Sequence, residues 1–243
     1  LATACMSKDE RDGIDYFPLT VDYEERFYAA GRILGGRFMK REGRPSDEAV
    51  LGGRIVDRTI RPLFDDHIRN EIQVVITILA IDQDNDPDTI AVIAASLALG
   101  TSDIPWKGPV SAVRLGVMEG EANFIINSTY ADREQTMCDL LICGKDGNIS
   151  MIESEAKEVK EEVVAKAFDF AIAEIEKLQD FQKKVIAEMG KEKKVIEKAP
   201  YTPEMLELFK TEIEPLMDKA IFAEAGNKTI YELRDKWLVL VKE

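Results

Sequence analysis

The sequence predicts an α+β fold: mixed sheets with helices, followed by a smaller all-helical region. Three observations carry that expectation. Alternating or β-branched segments recur through the first 160 residues, with hairpins at Glu119-Gly120 and Asp146-Gly147. A helical stretch rich in small residues, Thr89 to Leu99, sits among them. From Lys160 onward the apolar period becomes that of a helix. Interleaved strands and helices with mostly antiparallel neighbours define that class.

Residues 2–6 and 14–33 read as strands, with Phe17, Leu19, Val21 and Tyr23 alternating on one buried face. A helix should start at Pro45-Ser46, with Ser46 as N-cap and Asp47 and Glu48 in the first turn. Arg61-Pro62 ends it, because the residue before a proline is pushed out of the helical region. EIQVVITILAI, from Glu71 to Ile81, is apolar enough to predict a central strand covered on both faces. The 89–99 helix should lie close to a sheet, and Ile104–Pro109 breaks the pattern. An amphipathic helix follows between Lys160 and Met189, its stripe running Val163, Val164, Ala167, Phe168, Ala171, Ile172, Ile175, Leu178 and Phe181. Gly190 stops it. KEKKVIEKAP reads as a solvated linker, and two further helices are expected at 203–225 and 229–242.

The chain is acidic, with a formal charge of -14 over 243 residues. No run of 18 apolar residues occurs, so no membrane-spanning helix is predicted. Cys5, Cys138 and Cys143 form no CxxC, and the single His67 cannot complete a zinc set with them. Buried thiols in a reducing cytoplasm fit best, with Cys138 and Cys143 on opposite strand faces and His67 at the surface. The opening LATACMSKDE reads as a strand already in progress, so the chain is expected to be part of a longer one.

Against this acidity, residues 31–64 hold eight Lys/Arg and four acids. A positive strip on a negative chain is a field aimed at an anion. Its first half places Phe38, Met39, Lys40 and Arg41 beside glycines, a pairing of stacking surface and cations that suits a single strand. Its second half places Arg54, Arg58 and Arg61 in one arc of the predicted helix, opposite Ala49, Ile55, Val56 and Ile60. Guanidiniums suit phosphate oxygens. One of the three can instead pair with a carboxylate, Asp57 in its own helix being the nearest.

GRFMKREGRPSDE followed by GRIVDRTIRPLF resembles the first RNase PH-like domain of the polynucleotide phosphorylase family. There the loop usually reads Phe-Phe-Arg-Arg-Glu-Gly-Arg-Pro-Ser, and the helix carries Arg-x-x-Asp-Arg-x-Ile-Arg-Pro-Leu. YFPLTVDYEERFYAAGRI upstream, and DNDPD, IPWKGPV and MIESEA downstream, resemble the same domain in the same order. Met39 and Lys40 depart from the family loop, which weakens stacking somewhat.

The resemblance implies a ribosomal protein S5 domain 2-like fold over residues 1–190, a linker at 191–201 and the start of an all-helical domain at 202–243. It implies the RNA-gripping part of a phosphate-dependent 3′-to-5′ exoribonuclease of mRNA degradation, a homotrimer in a possible RNA-degradation complex, with Phe38–Arg41 lining a channel. The family's Mg2+ and inorganic phosphate sit on carboxylates and a serine-rich turn. Neither is evident in this sequence, so no catalytic residue, metal or cofactor is assigned to it, and the isolated chain is expected to be inactive. Asp82, Asp84, Asp86 and Asp88 mimic a calcium loop only superficially, since Pro87 interrupts it. The rival reading is a non-catalytic RNA-binding subunit of an exosome-like ring, which would be expected to end near residue 200.

Overall fold

The computed structural model describes residues 1–33, 45–119, 123–197, 201–222 and 227–241. The chain divides into two compact units, Leu1–Ile196 and Glu197–Glu243.

The first unit is built in four layers. Strands β1 (Ala2–Glu10), β2 (Leu19–Glu25) and β3 (Asn70–Ile78) form one sheet in the order β1-β3-β2, with β1 antiparallel and β2 parallel to β3. Helices α1 (Asp47–Ile60) and α2 (Asp88–Thr101) make the next layer. The second sheet is antiparallel, β5-β4-β6-β7, from β4 (Ser111–Val117), β5 (Phe124–Ile126), β6 (Cys138–Lys145) and β7 (Asn148–Ala156). Helix α4 (Glu161–Met189) covers its far face, and the short α3 (Tyr130–Gln135) joins β5 to β6. One apolar cluster fills the space between the sheets around α1 and α2, and another lies between the second sheet and α4. Cys143 belongs to the first cluster and Cys138 to the second, as two strand positions of opposite parity require.

Local chemistry explains the boundaries. Ser46 Oγ accepts the N–H of Ala49 and starts α1. After Ile60 the chain tightens into a 3-10 turn, Arg61–Leu63, because Pro62 cannot continue the helix. The indole of buried Trp106 then donates to Ile60 O at 3.1 Å, giving a terminal carbonyl a partner. Thr129 and Asp132 close a capping box on α3, a helix too short for periodicity to reveal. Asp146 and Gly147, both at positive φ, make the β6–β7 hairpin.

Several expectations need correction. Extended chain does not run to residue 33, since Phe27–Ala30 is a 3-10 turn closed by Gly31 at φ 68°. Strand β3 is central but not covered on both faces: Ile72, Val74, Ile76 and Ile78 are buried, while Glu71 and Gln73 are exposed. The doubly buried strands are β4 and β6. The α4 stripe ends on Gln179 and Gln182, not on Phe181, which is 57% exposed. The amides of both glutamines donate to the backbone carbonyls of Pro109 and Val110, which an apolar side chain would leave orphaned.

Residues 191–196 are largely exposed, as expected, but they are docked on the first unit. Ile196 packs on the first cluster, and its carbonyl sits 3.1 Å from His67 Nε2, so the histidine is tied down as well. In the second unit the expected 203–225 helix is two, α5 (Pro203–Glu212) and α6 (Glu214–Ile221), because Pro215 forces a new start. Helix α7 (Asn227–Leu240) follows, and Phe209 meets Trp237 edge-on at 5.3 Å. No described helix is long and apolar enough to cross a membrane.

Trp106→Phe keeps the ring and removes the N–H to Ile60. It should lower unfolding free energy by about 1–3 kcal/mol, the cost of an orphaned buried acceptor, read from urea denaturation.

Candidate nucleic-acid interface

The basic strip reaches the described structure through α1. Ala49, Gly52, Gly53, Ile55, Val56, Thr59 and Ile60 are buried, so Arg54 and Arg58 are left on the outer face. A groove of about 390 Å³ opens between this helix and the edge strand β2. Arg54, Val50, Thr20 and Asp22 line it, with Pro45 at the end where the basic strip enters. Phe38, Met39, Lys40 and Arg41 lie outside the described residues.

The three arginines differ in their engagements. Arg54 is exposed and has no ion-pair or hydrogen-bond partner among the described residues. Arg58 meets Glu153 of β7 at 3.0 Å, but both side chains are largely wet, 50% and 39% exposed, so the pair is worth little. Arg61 turns inward. It grips Asp57 through two nitrogens, at 2.6 and 3.0 Å, and donates to the carbonyls of Phe17 and Leu19. Its guanidinium also lies over the Phe17 ring, 5.9 Å from the centroid. Arg61 therefore fastens the start of β2 to the end of α1, making the partnership with Asp57 that the spacing allowed.

Apart from the residues that line the groove is a charged cluster that sequence reading missed. Arg114 of β4 meets Asp86 at 3.0 Å and Asp139 of β6 at 2.5 Å, and Arg133 of α3 meets the same Asp86 oxygen at 3.0 Å. All four side chains are at most 16% exposed. Burial pushes the Asp86 carboxyl up, but Arg114, the Asp88 N–H and Arg133 outweigh it and hold it low. Asp88, at the start of α2, has the opposite fate: burial, then the neighbouring Asp86 charge, push it up to about 6 against the pull of Arg114. Tyr23 on β2 donates to Asp88 at 3.3 Å, and burial followed by Asp88 raises its phenol. The signal was Arg114 itself, a lone cation in the otherwise apolar SAVRLGV.

These carboxylates do not suit a divalent cation. Asp86 and Asp139 already face guanidiniums, and Asp82 is occupied by Asn85 and the N–H of Asp84. No group of three or more ligating side chains fits a metal among the described residues. No step through magnesium is therefore assigned to them.

Residues 1–105 match the family model "3' exoribonuclease family, domain 1". The chain is 46% identical over 213 residues to a polyribonucleotide nucleotidyltransferase of Alkaliphilus oremlandii, covering 88% of this chain and 29% of that protein. It is 44% identical over 229 residues to one of Acidobacterium capsulatum, covering 94% and 28%. It is 44% identical over 221 residues to one of Clostridioides difficile, covering 91% and 31%. The chain thus spans about three-tenths of the length of the curated relatives it matches. The crystal structure of rice Rrp46 shares the fold, with a TM-score of 0.61 at 15% identity over 76% of this chain and 82% of that one.

A carboxyl raised from 3.8 to about 6 on folding contributes stability that is present below 3.8 and lost as pH rises through 6. Asp88→Asn should therefore be more stable than the parent at pH 8, by on the order of 2 kcal/mol, and show no advantage at pH 4. Thermal melts across that range check it.

Proposed function

The chain belongs to the RNase PH-like 3′ exoribonuclease family, and from that premise we propose that it is the RNA-gripping part of a phosphate-dependent 3′-to-5′ exoribonuclease, polyribonucleotide nucleotidyltransferase. The observation that carries the reading is Arg54, exposed and unpaired among the described residues beside an open groove. A free guanidinium there takes a backbone phosphate without first breaking a protein contact. Val50, 48% exposed on the groove wall, offers apolar surface to a sugar or base. Arg58 exchanges a wet carboxylate for a phosphate at little cost. Arg61 shapes the groove, while Phe38, Met39, Lys40 and Arg41 hold the strand further along.

The relatives' common name favours an enzyme part over a non-catalytic ring subunit. Phosphate attack and its magnesium ion then belong to residues outside this chain, and Glu197–Glu243 begins an all-helical domain. A homotrimer working in cytoplasmic mRNA degradation completes the proposal.

In a protein of the relatives' full length carrying this chain, Arg54→Ala with Arg58→Ala should slow phosphorolysis of long RNA at least about tenfold without lowering the melting temperature. Unchanged turnover would remove the groove from the reading. Arg61→Ala should do the reverse first, lowering the melting temperature by several degrees. Lys40→Ala with Arg41→Ala should reduce the slope of log affinity against log salt by about 1–2, measured by RNA titration at several salt concentrations.

A further inference from the structure

At the end of helix α2, Leu99 O accepts the N–H and the hydroxyl of Ser102, at 3.3 and 2.8 Å, and the chain returns to this end about 90 residues later. Ile186 of α4 packs its side chain against Gly100, where a Cβ would lie 2.6 Å from Ile186 Cδ1. That close approach brings the C-terminus of α4 beside the C-terminus of α2. Gly190 then turns the chain out of the helix, and residues 191–196 run across the end of α2. The Lys191 N–H donates to Thr101 O at 3.1 Å, and the Lys194 N–H donates to Asp103 O at 2.8 Å. Between them Lys193 Nζ donates to Leu99 O at 2.7 Å, Gly100 O at 3.0 Å and Ser102 O at 2.7 Å. An ammonium has three N–H bonds, and here each meets one carbonyl.

We propose that the C-terminal carbonyls of α2 form a cation cage, filled in cis by Lys193, that latches residues 191–196 onto the first unit. The chemistry is that of a helix C-terminus, whose terminal carbonyls carry the negative end of the dipole. A compact ammonium fits where a planar guanidinium fork does not. The neighbouring Lys194–Asp103 pair, at 2.9 Å, is half-exposed and adds less. Burial lowers the Lys193 pKa while Asp103 raises it, as expected of a cation partly removed from water.

The latch governs how much free chain precedes the second unit. Closed, the docked segment runs to Ile196, whose carbonyl meets His67. Open, it releases six further residues, about 20 Å of extended reach. A device of this kind sets whether the helical unit is held on a short or a long tether, and a competing cation or a modification of Lys193 would switch it.

Hydrogen exchange of the full 243-residue chain at the Lys191 and Lys194 amides tests this. In Lys193→Met both amides should exchange at least about tenfold faster, with β6 amides unchanged. Lys193→Arg should fall between, and Lys184→Met, on exposed α4 surface, should match the parent. In Lys193→Ala, methylammonium should restore part of the protection, whereas tetramethylammonium, which has no N–H, should not. Unchanged protection in Lys193→Met, equal rescue by both ions, or simultaneous loss at β6 would overturn the proposal.

Discussion

The first unit depends on how closely α1 approaches strand β2 and the start of α2. At Gly52 a Cβ would lie 2.9 Å from the Asp88 carboxylate and 3.1 Å from the Tyr23 ring. Any side chain there would push the helix off its seat. Because it sits so close, α1 buries a full face and has one remaining orientation for its arginines. The groove beside β2 is the space left between that fixed helix and an edge strand that pairs with no further strand among the described residues.

Charge is divided along the same line. Three acids are neutralised internally: Asp86 and Asp139 by Arg114 and Arg133, and Asp57, which lines the groove, by Arg61; Asp22, which also lines it, accepts from the Gln73 amide instead. Asp88 carries its burden as a raised pKa. Pairing with Arg61 keeps the Asp57 carboxylate from drawing Arg54 inward on the same groove.

Much of the fold was legible because local signals agreed. Ser46, Pro62, Gly147 and the period of α4 each marked a boundary that packing then kept. Misreadings arose where tertiary partners overrode local character. Gln179 and Gln182 look like surface residues until the carbonyls opposite them are known. Lys193 belongs to a lysine run that reads as solvated, and only the fold brings α2's open end beneath it. For the interface, spacing located the arginine arc but not its division of labour. Which arginine turns inward depends on Phe17 and Leu19, more than 40 residues away in sequence.

The second sheet is a wall shared by two separate hydrophobic compartments, with one cysteine facing each. Cys143 is the more deeply protected, its thiol pushed up to about 12 by burial. Each sulfur is thus a native sentinel for its own chamber. Pulsed thiol labelling during gentle denaturation, resolved residue by residue, would tell which side of the wall yields first, with no foreign probe introduced.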